Sequence, residues 1–195
     1  MKKHQSIIFD LQNFDKNQID SKLKIYLNKF HKQLENDGIL WVFCNFISDK
    51  KKFFPAPFYI AQKLSNYLLK NIIIHPNFEN SNKGNLFNNY ITNILFLTKE
   101  DKYYFNKDPI REKHIWKNVE WGKRKKNYHP KGKDPGNVWL KTLDDGKANI
   151  IEHCPLDYTS IINRCISSSA KKNSSILLLN INELKTKFKI LYEKI

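Results

Sequence analysis

The tightest constraint on this chain is a short apolar run, an amphipathic stretch and a second apolar run in its first quarter. In "IIFDLQNFDKNQIDSKLKIYLNKFHKQLENDGILWVFCN", Ile7 to Asn45, the first run stops at Asp10. Ile19, Leu23, Tyr26, Leu27, Phe30 and Leu34 then recur at spacings of three and four, the apolar stripe of an amphipathic helix ended by Asp37-Gly38. Ile39 to Asn45 is continuously apolar and rich in β-formers, as a strand buried on both faces is. Two strands joined through a helix imply parallel neighbours, and hence an α/β sheet. In such a sheet the turn after a strand is where ligands and catalytic groups sit, which singles out Asp10 to Phe14.

The rest of the chain continues the alternation. Pro55 and Pro57 start a helix read over Phe58 to Asn71, and Ile72 to His75 is a third strand, expected to run parallel to the first two. Pro76 to Asn89 is a polar loop, Tyr90 to Lys99 a fourth strand, and Lys102 to Asn106 a segment that extends or pairs with it. Lys113 to Gly136 holds ten Lys, Arg and His residues with little apolar periodicity, and reads as a loop-rich insertion. Thr159 to Asn173 is a last helix and Ser174 to Asn180 a last strand. There is no internal repeat.

With 195 residues, 41% of them apolar, one globular domain over 1–195 is expected, the basic insertion occupying roughly 107–138. A formal charge of +15 favours a polyanionic partner such as nucleic acid, although the overuse of Lys, Asn and Ile together has the look of an AT-rich genome and weakens that inference. Cys44, Cys154 and Cys165 show no CxxC spacing, so neither a disulfide framework nor a zinc site is expected, and His153 beside Cys154 does not change that. No run approaches the ~18 apolar residues of a membrane span, and the first fifteen residues turn acidic and polar too soon for a signal peptide. The expectation is a soluble, cytoplasmic protein.

Three segments in register carry a family resemblance. "NILFLTKEDKYYFNKDPIRE" (Asn93 to Glu112), "GKDPGNVW" (Gly132 to Trp139) and "EHCPLDYTSIINRCISSSAKKNSSILLL" (Glu152 to Leu179) together resemble the DNA N-methyltransferases that modify adenine N6 or cytosine N4, in the permuted class whose catalytic motif precedes its cofactor motif. The resemblance covers nearly the whole chain. It implies a Rossmann-like, S-adenosylmethionine-dependent methyltransferase fold, here of about five strands, and methylation of an exocyclic amine in duplex DNA by base flipping, of the restriction–modification kind. It implies that Ile176 to Leu179 lies beside Ile7 to Phe9, although most of the chain separates them.

The resemblance also gives the first turn a role. Its family counterpart, Asp/Asn/Ser-Pro-Pro-Tyr/Phe, offers a polar side chain and a backbone carbonyl to the target amino group and an aromatic ring to the flipped base. Here the text is Asp10-Leu11-Gln12-Asn13-Phe14: Asp10 keeps an acceptor, Phe14 supplies a ring one position late, and neither proline is present. Asp10 and Phe14 are therefore read as a degenerate catalytic remnant, with an ordinary acidic residue closing a strand as the alternative for Asp10. After Leu179 the family has Asp-Pro-Phe-x-Gly-Ser-Gly against the cofactor; this chain has no glycine there and stops at Ile195. Asn180-Ile181-Asn182-Glu183 is expected to cap a helix and not to reproduce glycine's positive φ, so no cofactor-binding residue is assigned and S-adenosylmethionine binding is not expected.

In the insertion, Lys123, Arg124, Lys125, Lys126, Lys131 and Lys133, interleaved with Trp121 and Tyr128, are the mixture that contacts phosphates and stacks on bases; a solvated loop is the bland alternative. The sequence thus reads as a methyltransferase-like protein degenerate in catalysis that retains DNA binding. Two other readings stay open: half of a split enzyme completed by a partner chain, which would leave an apolar edge beside Ser175 to Leu179, and an interaction module without nucleic acid.

Overall fold

The computed structural model describes residues 2–49, 52–77, 90–115, 128–147, 149–181 and 189–193. The strands are β1 (His4–Asp10), β2 (Leu34–Asn45), β3 (Ile47–Asp49), β4 (Lys52–Phe54), β5 (Leu68–Pro76), β6 (Ile91–Thr98), β7 (Leu140–Asp144), β8 (Ile150–Pro155), β9 (Ser175–Leu179) and β10 (Lys189–Glu193). Among the described residues three helices accompany them, α1 (Lys16–Gln33), α2 (Ala56–Lys63) and α3 (Tyr158–Ser169), with one 3-10 turn at Asp108–Ile110.

The main sheet has the order β10-β9-β1-β2-β6-β5. β10, β9, β1 and β2 are mutually parallel, and β6 is antiparallel to both β2 and β5. Because strand side chains alternate, one face collects Ile7, Phe9, Leu40, Val42, Leu95 and Leu177 under α1 and α2. The other collects Ile8, Trp41, Phe43, Ile94, Phe96 and Leu178 under α3. The result is an α/β sheet covered on both sides, as the continuous apolar runs require.

Asp15 starts α1: its side chain accepts from the Gln18 N–H at 2.8 Å, while Gln18 Oε1 accepts from the Asp15 N–H at 2.9 Å, a reciprocal cap. The helix ends at Gln33, ahead of the Asp37-Gly38 break, and pairing of β1 with β2 jumps from His4↔Leu34 to Ser6↔Ile39. Gly38 sits at this irregularity, where a Cβ would lie 2.8 Å from the Gln5 carbonyl oxygen. On the opposite face, the Trp41 indole N–H donates to Ser169 Oγ at 3.1 Å, and Ser169 bonds onward to Ser6 Oγ at 2.9 Å, tying α3 to the sheet through buried polar groups.

The pairing of β9 with β1, Ile7↔Leu177 among its registers, follows the permuted order. Several details depart from the sequence reading. The main sheet has six strands rather than about five, because β10 pairs along β9 and covers its outer edge. β5 points the same way as β1 and β2, yet its neighbour is antiparallel β6; an apolar run does not encode which strand it pairs with. The second helix ends at Lys63, since Leu64 and Tyr67 bury themselves in a turn and Leu68 to Asn71 already belong to β5. Lys102 to Asn106 forms no strand: its backbone N–H groups reach Asp37 O from Tyr104 (2.9 Å) and Ser168 O from Asn106 (2.8 Å), and Tyr103 and Phe105 pack on Phe96. The β7–β8 hairpin has no counterpart in the sequence reading.

The segment returning from the insertion docks on β5. The Ile74 N–H donates to Asn137 O at 2.8 Å and the Trp139 N–H to Ile74 O at 2.9 Å, which seats Trp139 in the core near Trp41. Part of the β5 edge is thereby capped.

On the α1 face, Phe30 lies edge-on to Phe9 (5.1 Å) and is stacked on Tyr26 (5.3 Å). Phe30→Ala is expected to destabilise the fold by about 3–5 kcal/mol. Ile25→Ala, on the exposed side of the same helix, should stay within about 0.5 kcal/mol. Urea unfolding of both variants checks the pair; equal losses would mean that α1 does not dock as described.

Candidate functional site

The carboxyl end of β1 carries a closed hydrogen-bond knot around Asp10, whose side chain is only 6% exposed. Asp10 Oδ1 accepts from the Gln12 backbone N–H at 2.8 Å and Oδ2 from Gln12 Nε2 at 3.2 Å. Oδ2 also accepts the hydroxyl of Tyr158, the first residue of α3. Gln12 is fixed in turn by Thr92 on β6, whose Oγ1 donates to Gln12 Oε1 at 2.8 Å. The backbone carbonyl of Asp10 is engaged as well, accepting from Asn180 Nδ2 at 3.2 Å.

These contacts set the electrostatics. Burial pushes the Asp10 carboxyl above its ordinary value, and the bonds from Tyr158 and Gln12 act against that rise. The Tyr158 hydroxyl is pushed up, by burial first and then by the adjacent Asp10 carboxylate, so it acts as a donor and not as a base. Cys44 is likewise raised, chiefly by burial. His75, whose ring lies 3.4 Å from the Trp139 carbonyl oxygen, is lowered by burial, with that carbonyl and Asp157 opposing.

Next to the knot, beyond the carboxyl ends of β1, β2 and β5, lies a cleft of about 380 Å³ lined by Gln12, Phe43, His75, Thr92, Tyr158 and Ile161. Phe43 and Tyr158 meet edge to face at 6.1 Å in its wall. Its size suits a planar heterocycle, and its polar groups are the His75 imidazole, the amides of Gln12 and Asn77, the hydroxyls of Thr92 and Tyr158, and the Asp157 carboxylate.

Of the two residues read as a catalytic remnant, only Asp10 reaches this cleft's margin. Phe14 is turned toward the α1 side of the sheet, half-buried against that core, with Lys22 Nζ 5.8 Å from its ring. The aromatic partner of Asp10 is instead Tyr158, which the sequence reading does not single out. The only local signal is the helix start: Asp157 caps α3, accepting from the Ser160 N–H at 2.8 Å, which makes Tyr158 the first helical residue, while its reach to Asp10 comes from the packing of α3 on the sheet. The turn after β9 also differs from expectation. Asn180 adopts φ 59°, the left-handed conformation expected to need glycine, because asparagine tolerates it best among residues with a side chain.

The insertion forms a second, larger cleft of about 500 Å³ against the β7–β8 hairpin, with Arg111, Lys113, His114, Lys133, Lys141 and Arg164 on its walls beside Glu112 and Asp144. Much of that charge is paired: Arg164 with Glu112 at 3.1 Å and Lys113 with Asp144 at 3.3 Å. Lys131, read as a phosphate contact, pairs with Asp108, which Arg111 also holds at 3.0 Å. Lys133 is exposed and, among the described residues, carries no ion pair; its backbone pairs with Glu112. Lys123, Arg124, Lys125 and Lys126 lie outside the described residues. Among the described residues no three His, Cys, Asp or Glu side chains cluster as metal ligands, and no helix is long and apolar enough to cross a membrane.

Comparison with known proteins places this architecture. The N6/N4 DNA methylase family model matches residues 7–178. No match was found among curated proteins. Among solved structures, the PvuII DNA methyltransferase, described as cytosine-N4-specific, superposes with a TM-score of 0.62 at 10% identity, over 99% of this chain and 77% of that one. M1.HpyAVI in complex with SAM gives 0.54 at 14% identity, over 99% and 83%. The DNA modification methylase TTHA0409 from Thermus thermophilus, complexed with S-adenosyl-L-methionine and described as a putative one, gives 0.53 at 13% identity, over 91% and 72%. At these identities the likeness concerns the fold.

The raised Asp10 carboxyl fixes the sign of a pH effect. A carboxyl held above its ordinary 3.8 binds its proton more tightly in the folded state, so its favourable contribution is complete below 3.8 and is lost as pH rises through the folded value. The stability of the native protein relative to Asp10→Asn should therefore rise as pH falls from about 7 to about 4. Urea unfolding of both proteins across that range reads it; a difference that shrinks or stays flat toward acid would contradict a buried, desolvated Asp10.

Proposed function

This chain belongs to the N6/N4 DNA methylase family, and on that premise we propose that it is a degenerate member, one that holds DNA without transferring a methyl group. The observation that carries this reading is the knot at Asp10. The two acceptors that the family resemblance assigns to a target amino group, the side-chain carboxylate and the backbone carbonyl, are both occupied from within the chain, by Gln12 and Tyr158 and by Asn180. An incoming amine would have to displace buried bonds, and a buried acceptor gains little by exchanging one donor for another.

The fit of S-adenosylmethionine, the methyl donor implied by the family, is decided beside the same knot. A glycine-rich turn lets a ligand approach the backbone because nothing projects from it. At the corresponding place after β9, Asn180 takes the glycine-like φ but its side chain crosses to the Asp10 carbonyl and spans the gap between β9 and β1. Ile181 follows it into the core. These residues do not fit the cofactor, so no methyl-transfer step is assigned to the chain.

DNA is the partner proposed, through the basic insertion. Since Lys131 is held by Asp108, the phosphate contacts fall to Lys123, Arg124, Lys125 and Lys126, with Lys133 beside them. Such contacts position a duplex without reading its bases. Completion by a partner chain has less support: the edge of β9 that a split enzyme would leave open is paired along its length by β10.

Two measurements test the reading. Calorimetry should detect no S-adenosylmethionine binding tighter than about 100 μM, equivalent to about −5.5 kcal/mol. A tighter constant would overturn the degenerate assignment. Duplex DNA binding should fall with salt at a log–log slope of about −4, and replacing Lys123 to Lys126 by Ala should flatten that slope by about 3 to 4 while weakening all sequences alike. Unchanged binding after the fourfold replacement would remove the insertion from the interface.

A further inference from the structure

Phe53 and Phe58 are 57% and 60% exposed, an unusual state for phenylalanine in a chain whose core accommodates larger rings. They are not scattered. Phe46, the residue between β2 and β3, stacks on Phe53 with ring centroids 5.1 Å apart and planes 26° from parallel, and lies 6.3 Å from Phe58. A second pair, Phe54 and Tyr59, adjoins at 5.1 Å. Lysines border the second pair: Lys16 Nζ lies 5.8 Å from the Phe54 ring and 5.7 Å from Tyr59, and Lys63 Nζ lies 5.3 Å from Tyr59; exposed Lys52, on the same strand, alternates with Phe53 and shares the Phe54 face. The nearby acid Asp20 is already engaged, accepting from the Tyr59 hydroxyl at 2.5 Å and meeting Lys16 at 3.8 Å.

We propose that the β3–β4 hairpin and the start of α2 form a stacking platform for the unpaired bases of single-stranded nucleic acid. An exposed ring with another stacked behind it presents a flat face on which a base can continue the stack, and every base has such a face. The lysines of the adjoining pair, Lys16 and Lys63, with exposed Lys52, supply positive charge next to the stacked rings for the phosphates of a strand that runs past them. A duplex keeps its base faces buried in its own stack, so this surface distinguishes unpaired strands from paired ones. The hairpin leaves β2 just past Phe43, the residue paired with Asp10, and so stands at the same edge of the sheet as the cleft lined by Tyr158. Stacking does not tell deoxyribose from ribose; the shared chemistry is an unpaired base on a phosphate backbone. The platform shares no residue with the basic insertion, and stands or falls separately from the duplex contact proposed there.

Fluorescence anisotropy with labelled oligothymidylate and oligouridylate of about 12 nucleotides, and with a duplex of similar length, tests it. The double variant Phe53→Ala/Phe58→Ala should weaken binding to the single strands about tenfold or more, leave their salt slope unchanged and leave duplex affinity unchanged. Phe53→Tyr/Phe58→Tyr, which keeps the rings, should bind like the native chain. Lys52→Ala should instead flatten the single-strand slope by about 0.7. Equal weakening of thymidylate and uridylate supports the shared chemistry; weakening of only one assigns the platform to DNA or to RNA. Native affinity for both oligonucleotides in the Ala variant would overturn the proposal. So would an Ala variant that binds them normally but loses a self-association seen in sedimentation, which would make the patch an interface between copies. Duplex binding without single-strand binding refutes the platform alone, and single-strand binding without duplex binding refutes the role given to the insertion alone.

Discussion

β1 is buried along all seven of its residues, flanked on both sides by parallel strands and covered above and below by helices. Everything else is placed by that burial. A strand with no solvent face cannot slip by one residue without driving Phe9 and Ile8 to the wrong sides of the sheet, so its register against β2 and β9 is held by packing. It brings Asp10 to the sheet's carboxyl edge, and because β9 must lie against it, it brings Asn180 there too, from the far end of the chain.

The knot at that edge is what such convergence produces when the converging groups complement one another. Asp10 cannot remain buried without donors, and it receives them from its own turn, from the first residue of α3 and, through its carbonyl, from the turn after β9. The places to which the family resemblance would assign substrate and cofactor are here bonded to each other. The same bonds that stabilise the edge occupy the Asp10 acceptors, and this is how the packing of the core bears on the proposed loss of activity.

Charge and aromaticity are divided over the surface. The insertion and the β7–β8 hairpin hold a basic cleft whose ion pairs already neutralise part of its charge, while the β3–β4 hairpin carries stacked rings and the adjoining Phe54–Tyr59 pair has lysines beside it. Arginine and lysine near phosphates make contacts that any sequence can satisfy, and rings make contacts that only exposed bases can satisfy. The two surfaces are proposed to meet nucleic acid through different parts of it.

The alternation of apolar runs with a 3.6-residue stripe was enough, from sequence, to place β1, α1, β2, α3 and β9, because burial on two faces leaves a continuous pattern and burial on one face of a helix leaves a periodic one. The order of three weak segments was enough to put β9 beside β1. Asp10 was legible as an acceptor at a strand end. The rest came from tertiary structure. The neighbour that β5 pairs with, the direction of β6, the bonding of β10 to β9, and the early end of α2 all depend on which neighbour an apolar segment meets, and that is not written in the segment. The position of Phe14 has the same reason: a ring four residues from Asp10 in sequence was drawn to the α1 core, while that of Tyr158, 148 residues away, was brought within hydrogen-bonding reach of Asp10. Composition and periodicity report what a residue would bury; only the folded chain decides against what.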